Sequence, residues 1–177
     1  MKKYEFTGET KEIRLLFRTA TLHRIRATVA FGIVEVGDLG GWIEKEENLS
    51  HEGKAWVCGD AKVWGNAKVW GNAEVCGDAK VWGNAEVWGN AEVFSASHVL
   101  VIGAIGSRND FTTFYRDKDN EITVKCGCFL GKIDRFLEKV TQTHGDSKYA
   151  LVYRAAVEVA KLQIDLSGEA PKDADEE

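Results

Sequence analysis

Long apolar runs and a strong excess of positive charge are missing from this sequence, and proline occurs only once. No apolar run approaches the roughly 20 residues of a membrane-spanning helix, so no membrane partner is expected. The opening residues MKKYEFTGET hold no apolar signal core, so export is not expected. The formal net charge is −5, and the segment from Glu169 to Glu177 carries five acids and one lysine, which leaves the body of the chain close to neutral. A general attraction to nucleic acid therefore has no support in composition. The single proline, Pro171, lies in that acidic tail. Four cysteines do not make a disulfide framework in a chain of 177 residues, and the simplest setting is reducing and cytoplasmic. One or two domains are expected at this length.

What is present is a repeat. From Val57 to Val93 the chain reads VCGDAK, VWGNAK, VWGNAE, VCGDAK, VWGNAE, VWGNAE and then Val93. Valine recurs every sixth residue, alanine stands two residues before each valine, and a Gly-Asn or Gly-Asp pair lies between them. A period of six suits neither a helix nor a flat strand, so the repeat is read before local propensity. Three units make one triangular turn of a parallel β-helix. Valine points inward from each side, alanine fills the tight corner, and Gly with Asn or Asp supplies the positive φ of the turn.

This pattern resembles the hexapeptide-repeat, left-handed parallel β-helix superfamily, whose commonest members are acyltransferases. The family usually has a small residue after the aliphatic one, where this chain often has Trp. The segment FGIVEVGDLGGWIEKEENLS, the Gly-Asn-Ala repeats and the later GSRND and CGCF motifs also resemble phage and prophage proteins described only as hexapeptide-repeat or polymer-forming. That resemblance implies a viral or mobile-element origin and supplies no activity. The fold class expected is α+β: an N-terminal left-handed β-helix of about four coils over 33–104, then a small ββαα module over 105–166. Residues 1–32 are expected as strands capping the β-helix, and 167–177 as a disordered acidic tail.

Several details follow. Strands are expected at 4–8, 12–18 and 22–27, with Lys11, Arg14, Arg18, Arg24 and Arg26 on a solvated face. Worked backward, Leu39 with Ile43, and Ile33 with Gly37, extend the six-residue register and put Gly40-Gly41 at a corner. Residues 45–52 read as a polar loop. Worked forward, VFSASH at 93–98 and VLVIGA at 99–104 still fit. In the second module, strands at 111–116 and 121–126 flank a turn at 117–120. A helix over 131–144 follows from the spacing of Ile133, Phe136, Leu137 and Val140, and Ser147 starts a second helix that runs to about Ile164.

Stacking residues 18 apart places Trp64 under Trp82 and Trp70 under Trp88, all pointing outward because each follows an inward valine. Two outward ladders form an apolar patch of the kind that marks an interface, and a homotrimer or higher oligomer is expected through them. A stacking platform for sugars or bases is the alternative. Cys58 under Cys76 is expected reduced.

The loop IGSRND is the most suggestive binding site. Gly106, Ser107, Arg108 and Asn109, with Thr112, Thr113 and Lys125 on the adjacent hairpin, offer donors suited to a phosphate or carboxylate. A structural turn is the alternative. Cys126 and Cys128 lack the partners of a zinc site, so neither a metal nor another cofactor is expected. His51 and His98 are the only histidines in the repeat region, and neither lies in the long excursion that carries the family's catalytic base; no catalytic residue is assigned. The function expected is a non-enzymatic oligomeric binding protein with a pocket for a small anionic, nucleotide-like ligand, in one version a cyclic nucleotide serving as a host immune signal. The alternatives are an acyltransferase, or a structural or inhibitor module acting through the Trp faces.

Overall fold

The structure is a computed structural model that describes residues 2–167. The expected disordered tail lies, except for Ser167, outside the described residues. The chain opens with a long antiparallel hairpin of β1 (Tyr4–Arg14) and β2 (Thr19–Ala27), and β3 (Leu39–Ile43) joins it antiparallel. Seven two-residue strands follow, one per hexad. They are β4 (Trp56–Val57), β5 (Lys62–Val63), β6 (Lys68–Val69), β7 (Glu74–Val75), β8 (Lys80–Val81), β9 (Glu86–Val87) and β10 (Glu92–Val93). They pair in parallel with partners 18 residues on: Lys62 with Lys80, Lys68 with Glu86, and Glu74 with both Trp56 and Glu92.

The local reasons are those the repeat suggests. Every valine from Val57 to Val93 and every alanine from Ala55 to Ala91 at the repeat positions is fully buried in one cluster. The turn glycines, such as Gly65 and Gly71, sit at φ 71° and 74°, which a side chain would resist. Asn66 and Asn72 hydrogen-bond Asn84 and Asn90 one step along, both at 3.2 Å.

The wider expectation of a left-handed parallel β-helix of four coils over 33–104 is corrected. The strands fall into four separate sheets. One is five-stranded and mixed, in the order β1-β2-β3-β5-β8; one is three-stranded, β10-β7-β4; one is the pair β6-β9; and the fourth is antiparallel. Residues 33–38 form no strand, and Ile33, 82% exposed, does not point inward. Gly40 and Gly41 lie inside β3 rather than at a corner. A Cβ there would sit 2.5 Å from Ile25 Cγ1 and 2.7 Å from Ala61 O, respectively. A hexad sets a local strand and turn, but it does not decide how flanking segments pair.

The flanking segment 99–104 shows this. It belongs to β11 (Val99–Ile105), which pairs antiparallel with β12 (Asp110–Arg116). Then come β13 (Ile122–Cys126) and β14 (Phe129–Lys132), so the second module has four strands rather than two. The helices α1 (Ile133–His144) and α2 (Lys148–Gln163) complete it. VLVIGA is apolar at every aliphatic position because its strand is covered on both faces. Val99 and Val101 pack on the repeat core, while Leu100 and Ile102 pack on a second core beneath the helices. The four-stranded sheet is thus a partition between the two cores.

Of the basic N-terminal residues, Arg14, Arg18 and Arg26 are exposed, whereas Lys11 and Arg24 are half-buried over the Trp42 ring. Lys11 pairs with Asp60, Arg18 with Glu44, Arg24 with Glu9 and Arg26 with Glu5. The hairpin covers one Trp ladder: Leu22, Trp42 and Trp64 form a third buried cluster with Ile13 and Leu15.

Candidate functional site

The seven residues expected to bind an anion do not converge. In a strand, successive side chains face opposite sides. Thr113 and Lys125, opposite one another, face the repeat, where Thr113 Oγ1 accepts the Glu86 amide at 3.0 Å. Lys125 pairs with Glu86 at 3.1 Å, donates to Gly127 O and lies over the Trp88 ring at 5.0 Å. Thr112, fully buried on the other face, donates to Cys126 Sγ at 3.2 Å. Ser107, Arg108 and Asn109 are exposed at the hairpin tip, while Gly106 is buried under Tyr153. A Cβ on Gly106 would meet the Tyr153 hydroxyl at 1.9 Å, so this glycine serves packing. The Tyr153 hydroxyl is pushed up to about 12 by burial and by the neighbouring Cys126 thiol.

The Trp ladders form as expected but are not equivalent. Trp64 stacks on Trp82 with ring centroids 5.3 Å apart, yet Trp64 is buried by the hairpin and only Trp82, 50% exposed, reaches an outer face. Trp70 stacks on Trp88 at 5.2 Å, and both are half-buried. This second ladder borders a hollow of about 380 Å³ lined by Ser50, Glu52, Gly53, Trp70, Gly71 and Trp88. The Nε1–H groups of Trp70 and Trp88 are buried and make no hydrogen bond among the described residues. A wider hollow of about 570 Å³ runs along α1, but Asp134, Leu137, Glu138, Thr141 and Gln142 all come from that one helix and nothing converges on it.

The remaining polar groups are engaged structurally. Asp117, Asp119 and Glu121 bring carboxylate oxygens within 4.8 Å of one another, but the Lys132 ammonium already bonds all three. Burial pushes the Asp117 carboxyl up, yet Lys132, Thr123 and the amides of Asp119 and Glu121 together hold it below the usual carboxylate range. His98 is buried, and its Nδ1 accepts the Phe94 amide at 3.1 Å. His51 stacks on Tyr4 at 4.2 Å, and its Nδ1 accepts the Lys3 amide. Burial lowers the pKa of both histidines. Cys58 and Cys76, expected reduced, form a disulfide, because the 18-residue step brings their Cα atoms to 4.6 Å.

One surface was not legible as a site from the motifs. Helix α2 buries Ala150, Tyr153, Ala156, Val157 and Ala160, yet its opposite side is also apolar. Leu151 is 59% exposed, Val152 40%, Val159 48% and Leu162 89%. Val152, Ala155, Val159 and Leu162 follow the alternating three- and four-residue spacing of a helix-pairing seam. That spacing was available in the sequence beside the buried face and is the signal that finds it. By contrast, α1 exposes Asp134, Arg135, Glu138, Lys139 and Gln142. No helix among the described residues is long and apolar enough to cross a membrane. The chain matches no protein-family model and no curated protein.

Proposed function

We propose that this protein is a non-enzymatic binding module that works as a homo-oligomer, paired through α2. The observation that carries the reading is that α2 is apolar on both sides. A surface helix needs one apolar face, and a second one is accounted for by a partner. Ala155, at the middle of the seam, lets two backbones approach closely. Lys148 stands at the N-terminal end, with no acid in the first turn, and Asp165 just beyond the C-terminal end, while Lys161 in the last turn is paired with Glu158. Lys148 and Asp165 each oppose their own helix dipole and are favourably placed against the opposite end of a second copy running antiparallel. The pairing is isologous, as a two-fold dimer requires.

The non-enzymatic part rests on the histidines. His51 and His98 both spend Nδ1 on a backbone amide, and neither lines either of the two hollows described above. A general base needs reach to a substrate proton.

Sedimentation equilibrium of the wild type and of a Val159→Glu/Leu162→Glu double variant tests the assembly. The expected result is a wild-type dimer and a folded monomeric variant. A wild-type monomer, or an unchanged oligomer in the variant, contradicts the reading. A trimer abolished by Trp82→Glu instead would move the interface to the Trp ladder.

A further inference from the structure

The Trp70–Trp88 ladder ends on a rung that the chain leaves unfilled, and we propose that this rung binds the ring of a small ligand. The geometry follows from an insertion. Between Val57 and Val93 partners are 18 residues apart, but Ile43 pairs with Val63 and Leu49 with Val69, a step of 20. Two extra residues are therefore absorbed between Leu49 and Val57. The bridge from Leu49 to Val69 puts Ser50 beside Trp70, and the Ser50 amide donates to Val69 O at 3.0 Å. At the other end of the insertion, Lys54 and Ala55 donate to Gly71 O at 2.8 and 2.9 Å. Ser50 thus occupies the position where another Trp would continue the ladder, and the hollow of about 380 Å³ lies there.

The two ends of the ladder differ. The Lys125 ammonium lies over Trp88, while Trp70 meets no further aromatic ring among the described residues. Aromatic rings favour another flat face stacked at about this spacing. The polar character of the hollow defines the ligand's edge. Glu52 is exposed and makes no ion pair among the described residues, so its two carboxylate oxygens are acceptors. The Ser50 hydroxyl already accepts the Glu52 amide at 2.9 Å and keeps a proton to donate. The ligand chemistry that fits is a ring with an apolar or π face and two adjacent N–H or O–H donors on its edge. A guanine base and a sugar ring with a vicinal diol share this chemistry. No cationic side chain lines the hollow, and the Lys125 ammonium over the far ring is paired with Glu86, so the ligand needs no anionic group.

This inference rests on the reading of the protein as a binding module and is independent of its self-association. It is tested by calorimetric titration of the full chain with guanosine and, separately, with methyl β-glucoside. The Trp Nε1–H resonances are followed in parallel. Ser50→Trp fills the vacant rung and is expected to abolish binding. Glu52→Gln, on the exposed rim, is expected to leave the fold unchanged and weaken binding about ten- to hundredfold, as loss of hydrogen bonds to a charged group does. Binding of guanosine alone identifies a base site, and binding of the glucoside alone a sugar site. Both results must disappear in Ser50→Trp where that variant melts like the wild type. If Ser50→Trp does not fold, the Glu52→Gln titration decides. No binding of either compound at millimolar concentration, or binding unaffected by these substitutions, overturns the proposal whether or not the protein dimerises.

Discussion

Truncating Val75 to alanine measures how much the stacked valines hold the fold. Val75 is fully buried and lies in register between Val57 and Val93. The change removes two methyl groups, worth about 1.6 kcal/mol of transfer energy at about 0.8 kcal/mol each. The void is flanked by backbone hydrogen bonds above and below: Cys58 N to Val75 O at 2.9 Å and Cys76 N to Val93 O at 3.0 Å. Those bonds resist collapse, so a cavity of about 50 Å³ adds about 1.2 kcal/mol at about 24 cal/mol per Å³. The expected loss is about 3 kcal/mol. For a chain of this size, that lowers Tm by roughly 6–12 °C. Val152→Ala removes the same atoms from an exposed position of α2 and should change monomer stability by less than about 0.5 kcal/mol. Urea unfolding of both variants in the monomeric Val159→Glu/Leu162→Glu background separates them. Equal losses, or a loss below about 1 kcal/mol for Val75→Ala, would refute the claim that the valine stacks form a close-packed core.

Two pH effects are expected. Burial lowers the Lys3 pKa to about 8, with its Nζ donating to Ala55 O at 2.7 Å. The unfolded chain then holds a proton that the folded chain gives up between pH 8 and the ordinary lysine value, so stability rises with pH in that window. Lys3→Met should flatten that rise in melting curves; a rise that persists would exclude Lys3 as its source. Asp60 is held at about 2 by Lys11 and Lys62. Its contribution is complete above the ordinary aspartate value and is lost as pH falls toward 2, so Asp60→Asn should flatten the acid limb over that range. An unchanged acid limb would show that those exposed pairs contribute nothing, as exposed pairs often do.

The hexads were legible because each of their residues has a single local task. Val75 fills the interior, Ala73 the narrow corner, and Gly71 at φ 74° the turn. The pairing of the ends was not legible. VLVIGA carries aliphatic residues at the repeat's positions, but it carries them at the intervening positions too, and the second set serves the other core. The scatter of the residues expected to bind an anion has a related cause. Thr112 and Thr113 are neighbours in sequence and point to opposite faces of β12, so donors close in the chain do not converge. The vacant rung depends on a shift of two residues between Leu49 and Val57, and only the pairing of Leu49 with Val69 locates it. The exposed apolar face of α2 is in the sequence, overlaid on the buried stripe through Tyr153, Ala156 and Ala160.

Distances between nitroxide labels on α2 test the assembly most directly. With Cys126 and Cys128 replaced by serine, a label is placed either at Glu158, close to the centre of the seam, or at Lys148. In an antiparallel pair centred near residue 157, the two Glu158 labels lie almost opposite one another. The two Lys148 labels are separated along the helix axis by about 27 Å, at 1.5 Å per residue. Electron double resonance is therefore expected to give a short distance at Glu158 and a clearly longer one at Lys148. Similar short distances at both positions would show a parallel pair, and no dipolar signal at either would show that α2 does not bind a second copy.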